Sequence, residues 1–153
     1  MNEKEVSRIL VNWLAHSLIG CREESSRVDF AIGCAGRWPG FIFQDNEWQW
    51  SSQQSFPQFT TNFRDALSLV PGDCMWLLSG DKSDPVCESA EVWSWLEEDG
   101  RDKPTGRRAD METPEEALAA SALSARIRAR KQGRPVLPDT NWDELNLLAP
   151  MEV

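Results

Sequence analysis

The chain has no tyrosine and only one histidine, His16, among its 153 residues. A single imidazole excludes a paired-histidine metal site. No Ser-His-Asp or Cys-His set stands at a recognisable spacing, and neither GxSxG nor HExxH occurs. Cysteine is sparse as well. Cys21, Cys34, Cys74 and Cys87 lie far apart, form no CxxC and are remote from His16, which is not a zinc pattern. They read as reduced thiols that pack as small hydrophobes in a reducing compartment. No stretch approaches the roughly 20 apolar residues of a membrane span. The opening MNEKEVSRIL is charged and the apolar run behind it is broken by Asn12 and His16, so no signal peptide is expected and the location predicted is the cytoplasm.

Cations are in short supply: 16 Lys and Arg stand against 25 Asp and Glu, for a net charge of -9 and a pI near 4.6. Such a field opposes phosphate, so direct nucleic-acid binding is not expected. The sign changes along the chain, with a net of -9 over residues 1–100, +4 over 101–134 and -4 over 135–153. The basic stretch holds Arg101, Lys103, Arg107 and Arg108, followed by Arg126, Arg128, Arg130 and Lys131. It reads either as a solvated face with helix-dipole compensation or as an anion site for a nucleotide or an acidic partner surface.

Tryptophan is abundant, with eight in all. Its large apolar area and single N–H donor suit a core, a partner surface or a base-stacking platform. The clearest local signal surrounds two of them. In FIFQ-DN-EWQW, Asp45 and Asn46 tolerate the positive φ of a tight hairpin, which sets Phe43 opposite Trp48 and Phe41 opposite Trp50 as an aromatic ladder.

Helical spacing of Val6, Ile9, Leu10, Trp13, Leu14 and Leu18 predicts a first helix over 3–19. Val28, Phe30 and Ile32 alternate with Asp29 and Ala31 and predict a strand, followed by a glycine-rich turn, GCAGRWPG, that matches no phosphate-binding motif. Caps at Thr60, Thr61 and Asn62 announce a second helix ended by Pro71-Gly72. Strands are expected over 74–79 and 86–96, the latter with Trp93 and Trp95 on one face. Residues 97–112 have no periodic apolar positions and read as a mobile charged loop. Thr113, Pro114 and Glu116 form a capping box for a third helix whose apolar face is mostly alanine, ended by Gly133. The tail beyond 135 offers a short helix with Trp142, Leu145 and Leu148 on one side, suited to docking on the body.

The order of elements predicts a single α+β domain over residues 1–134, with an antiparallel or mixed sheet of about five strands under two to three helices, and a tail over 135–153. Adjacent acids such as Glu97-Glu98 and Glu115-Glu116 read as solvated or dipole-compensating charges, and Asp81 and Asp84 as a plain turn. No catalytic residue, metal site or cofactor is therefore expected.

The segments FTTNFRDALSLVPGDCMWLLS and TPEEALAASALSARIRAR together resemble the two most recurrent segments of the phage ABA sandwich family of small bacteriophage proteins. There a helix of pattern STxxxxALxLVP runs into a Trp-bearing strand and an Ala-rich helix ends in basic residues. Gly72-Asp73-Cys74 replaces that family's usual Glu-Gly-Trp, and the loop 97–112 and the tail look like additions. The resemblance implies a phage or prophage origin, an accessory and often host-directed role in the host cytoplasm, and no catalytic residues.

Two readings of function follow. The first is a non-enzymatic phage protein that binds and inhibits a bacterial host protein as an anti-defence, anti-CRISPR-like factor, its acidity allowing it to occupy a basic groove. The alternative is a sponge for a defence second messenger, using Trp stacking and Arg clamps on a small nucleotide. The candidate binding residues are Trp38, Trp48, Trp50, Arg107 and Arg108. Self-association is left open.

Overall fold

The computed structural model describes residues 1–15, 24–72, 74–81, 84–94 and 106–133, with Asp81, 84–89, Ser94 and 106–110 described as backbone. Four helices and five strands follow in the order α1 (Glu3–Ala15), α2 (Ser25–Ala35), β1 (Phe41–Gln44), β2 (Glu47–Trp50), α3 (Phe63–Ser68), β3 (Cys74–Asp81), β4 (Asp84–Ser94), β5 (Gly106–Met111) and α4 (Pro114–Lys131). The α+β class is as expected. The single sheet is not: β1 and β2 form a two-stranded sheet, and β3, β4 and β5 form a second, in that order, antiparallel throughout.

The strand expected at 28–32 is instead the middle of α2. Val28, Ala31, Ile32 and Ala35 fall at i, i+3, i+4 and i+7, and all four are buried. Val28 and Ile32 of the alternating trio are also i and i+4 of that helical set, whereas Phe30 is only half-buried, and packing against α1 decides for the 3.6-residue period. Gly33 thus belongs to a helix rather than a turn. A Cβ there would sit 2.2 Å from the Phe41 ring, so glycine lets the hairpin close onto α2.

The reading of 97–112 as one loop is corrected over its second half, where 106–111 form β5 along β4. A charged strand with no alternation leaves no apolar period to find; its place comes from pairing Arg107 with Glu91 and Gly106 with Val92. Residues 97–105, His16, Trp95 and the tail from 134 lie outside the described residues.

Helix α4 is the centre of the molecule. Thr113 caps it, its hydroxyl accepting from the Glu116 N–H at 3.1 Å, with Pro114 in the first turn. Residues 116–127 are buried without interruption. Small side chains at Ala117, Ala119, Ala120, Ala122 and Ala125 allow neighbours on every side, with β4 and β5 against it and α3 also packed on it. A helix buried all round shows little amphipathic stripe. Helix α3 is held at its start by Asn62, whose side-chain oxygen accepts from the Asp65 N–H at 3.1 Å.

Candidate binding surface

The hairpin register is the one that its sequence predicts. Phe41 pairs with Trp50, Ile42 with Gln49, Phe43 with Trp48 and Gln44 with Glu47, around Asp45 (φ 54°) and Asn46 (φ 63°). Because strand neighbours alternate in face, Phe41, Phe43, Trp48 and Trp50 share one side. That side is divided between core and solvent. Phe41 and Trp48 are buried, Trp50 is half-buried, and Phe43 stays 47% exposed against the Trp48 ring at 5.3 Å between centroids. The Trp48 N–H donates to the Met1 carbonyl at 2.8 Å, which ties the hairpin to the chain start.

At its other end the aromatic ladder opens on a cleft of about 680 Å³. Trp50 and Phe56 form aromatic walls, 6.1 Å apart and nearly perpendicular, and Gln58 and Asp65 supply polar groups opposite. Two contacts fix Trp50. Its Nε1–H donates to the Gln54 carbonyl, and its ring lies over Gly40, whose φ of 101° and missing Cβ admit it. Asp65 accepts from the Gln58 N–H at 2.9 Å, which shapes the loop on the far side. Among the described residues the lining contains one carboxylate and no cation.

Trp38 is held differently. Arg126, expected among the surface cations at the end of α4, is only 2% exposed. Its guanidinium lies 4.9 Å from the Trp38 ring and donates from Nε to the Leu69 carbonyl and from Nη2 to the Ser68 carbonyl at 3.2 Å. These oxygens end α3, where carbonyls lack helical partners. Arg126 therefore joins α4, α3 and the 38 loop, while burial lowers its pKa to about 10. Trp38 also meets Phe59 edge-on at 5.2 Å. Its half-buried ring is part of this internal clamp.

Arg107 and Arg108 are placed by backbone register opposite Glu91 and Ala90, in the sheet that lacks the hairpin. Of the candidates, Trp48 and Trp50 share the hairpin face, and of the three tryptophans Trp50 lines the cleft. Sequence reasoning passed over Phe43, although its pairing with Trp48 was visible, and it passed over Phe56, Gln58 and Asp65, whose loop and short helix carry no period that places them there. Also unforeseen is Asp29, a buried carboxylate in α2. Its Oδ1 accepts from both the N–H and the hydroxyl of Thr60, each at 2.8 Å. Burial pushes its pKa up to about 6 against those bonds, with Asp65 and Glu116 adding to the rise.

The remaining chemistry is quiet. Cys34 is buried, its thiol pushed up to about 12 by burial, and Cys74 is half-buried; both are unbridged. Among the described residues no group of three His, Cys, Asp or Glu is disposed to hold a metal, and no helix is long and apolar enough to cross a membrane. No protein family, characterised protein or solved structure matches the chain.

Proposed function

We propose that this protein acts without catalysis, by binding a host protein, as a phage-encoded inhibitor of a bacterial defence function. The observation that carries the reading is the aromatic ladder, which runs from an exposed Phe43 at the hairpin turn to Trp50 in an open cleft. Aromatic anchors supply most of the energy of many protein interfaces because they remove large area from water at small entropic cost. Their rim here is uncharged or acidic, with Gln44, Asp45, Glu47 and Gln49, and the chain carries -9 overall. The partner that fits is a protein with a basic groove, of the kind that otherwise holds nucleic acid. The phage origin rests on the resemblance of residues 59–79 and 113–130 to the ABA sandwich family. A sponge for nucleotide messengers is less well supported, because the described lining of the cleft offers Trp50 for stacking but no cation for phosphate.

The test is capture of host proteins by the full chain, compared with Phe43→Asp and Trp50→Ala variants checked for folding by circular dichroism. A partner retained by the parent is expected to be lost from Phe43→Asp and weakened at least about tenfold by Trp50→Ala. Full retention by both folded variants, or thermal stabilisation by cyclic nucleotides in place of a protein partner, would overturn the reading.

A further inference from the structure

The cleft at the end of the aromatic ladder has two aromatic walls, Trp50 and Phe56, and one charge, the carboxylate of Asp65 in α3. All three residues are half-buried. The rings are fixed in place. Trp50 donates from Nε1 to the Gln54 carbonyl and lies over Gly40, and Phe56 meets Phe30 edge-on at 5.4 Å and Phe41 at 6.1 Å. At 70° to each other and 6.1 Å apart, the two walls make a corner rather than a flat face. Asp65 is fixed as well. Its backbone N–H donates to the Asn62 side chain at 3.1 Å, and its Oδ2 accepts from the Gln58 N–H at 2.9 Å. Its Oδ1 has no partner among the described residues, and no salt bridge there answers the charge.

We propose that this cleft is an arginine receptor, which takes one arginine side chain of the partner with its guanidinium stacked on the Trp50 ring beside Phe56 and donating to Oδ1 of Asp65. The source of that arginine rests on the basic partner proposed above; the chemistry of the cleft does not. Aromatic faces are the negative side of a ring quadrupole, so a carboxylate set in an aromatic corner selects a cation over a neutral or anionic group. The chain's net charge of -9 acts in the same sense and draws cations to its surface. Among cations the guanidinium fits best. It is planar, so one face can lie on an indole while its N–H groups point outward in the plane to a carboxylate, and it sheds water more readily than an ammonium. Walls and carboxylate that are already held leave little to order on binding. A cleft of about 680 Å³ admits the side chain together with its flanking backbone, for which Ser52 and Ser55, exposed at the rim, supply donors and acceptors.

Nuclear magnetic resonance titration of the isotope-labelled full chain with three blocked tripeptides, acetyl-Gly-Arg-Gly-amide and its Lys and Pro counterparts, tests the proposal. The arginine peptide is expected to shift the Trp50 indole N–H and the Asp65 amide saturably, and to bind at least about threefold more tightly than the lysine peptide. Asp65→Asn, which keeps an oxygen for the Gln58 N–H, is expected to weaken it about fivefold or more, and Phe56→Leu, which keeps an apolar side chain, about twofold to fivefold. Glu3→Gln removes one charge of the same sign at an exposed position outside the lining and is expected to leave binding unchanged, which separates the cleft from the field of the whole chain. Circular dichroism checks that each variant is folded. The proposal is overturned by the absence of a saturable shift at these two resonances, by equal binding of the lysine peptide, by tighter binding of the proline peptide, or by a folded Asp65→Asn that binds like the parent. The host partner tells the two readings apart. A captured partner that is lost from Phe43→Asp yet indifferent to Asp65→Asn overturns the arginine receptor and leaves the hairpin reading in place. An arginine peptide that binds a chain capturing no host protein supports the receptor and overturns the host-protein reading alone.

Discussion

At the residue scale, the groups that decide the fold's polar interior are Asp29 and Arg126, and neither announces itself in sequence. Each sits in a helix where a charged side chain is ordinarily a surface residue, and each is resolved only by what the fold brings to it: Thr60 for one, the end of α3 and Trp38 for the other. Asp29 gives a measurable consequence. Its pKa of about 6 lies above the usual carboxylate value. Between pH 4 and 6 the folded chain thus keeps a proton that the unfolded chain has released, and raising the pH through this window favours unfolding. The contribution is at most about 3 kcal/mol, two pKa units at 1.36 kcal/mol each. Asp29→Asn retains an oxygen that accepts from Thr60 and removes the buried charge. It is expected to flatten this part of the pH profile and to exceed the parent in stability at pH 7. Asp29→Ala leaves two Thr60 donors unanswered and is expected to cost about 1 to 3 kcal/mol. Urea titrations at pH 4, 5, 6 and 7 separate the three; an unchanged slope in Asp29→Asn would show that Asp29 is not the group responsible.

At the scale of elements, legibility follows how local the cause is. The hairpin was readable to the register because turn chemistry and alternation act over ten residues, and α4 was readable at its start because a cap is a contact over three. Helix α2 is misread from sequence because Val28 and Ile32 fit both periods, and the packing against α1 that selects the helical one is not local to those residues. Strand β5 was invisible because its reason to be extended is β4, and the division into two sheets is likewise set by partners far apart in sequence. The same limit explains the candidate surface: Trp50 was found through the ladder, while Phe56, Gln58 and Asp65 join it from a loop and α3. The hairpin also permits a direct check of the turn. Asp45 and Asn46 both hold φ near 60°, where glycine is less strained than any other residue. Asn46→Gly is expected to stabilise the protein by about 0.5 to 1 kcal/mol, read as a rise in melting temperature, with protection of the β1 and β2 amides increased in hydrogen exchange. A loss of stability would mean that the Asn46 side chain, not its backbone, holds the turn.

At the scale of the whole molecule, charge and apolar surface are arranged against each other. The chain is acidic on either side of residues 101–134, yet among the described residues its exposed large apolar groups, Ile42, Phe43, Trp76 and Leu77, are gathered on β1 and β3, strands with no charge over 41–44 and 74–80. Long-range repulsion keeps copies and acidic proteins apart, and the few neutral strands are where contact becomes favourable. For the proposed basic partner the same field acts in the opposite sense and draws the two together before the aromatic anchors touch. Steering of this kind resides in the association rate, while the desolvated contacts at Phe43 and Trp50 govern dissociation. The Debye length falls from about 10 Å at 0.1 M salt to about 3 Å at 1 M. Stopped-flow association of the full chain with its captured partner is therefore expected to slow by about tenfold or more across that range, with the dissociation rate nearly constant. Phe43→Ala should show the converse, a faster dissociation with an unchanged salt dependence of association. An association rate indifferent to salt would exclude a basic groove as the target and leave the aromatic ladder as the whole of the recognition.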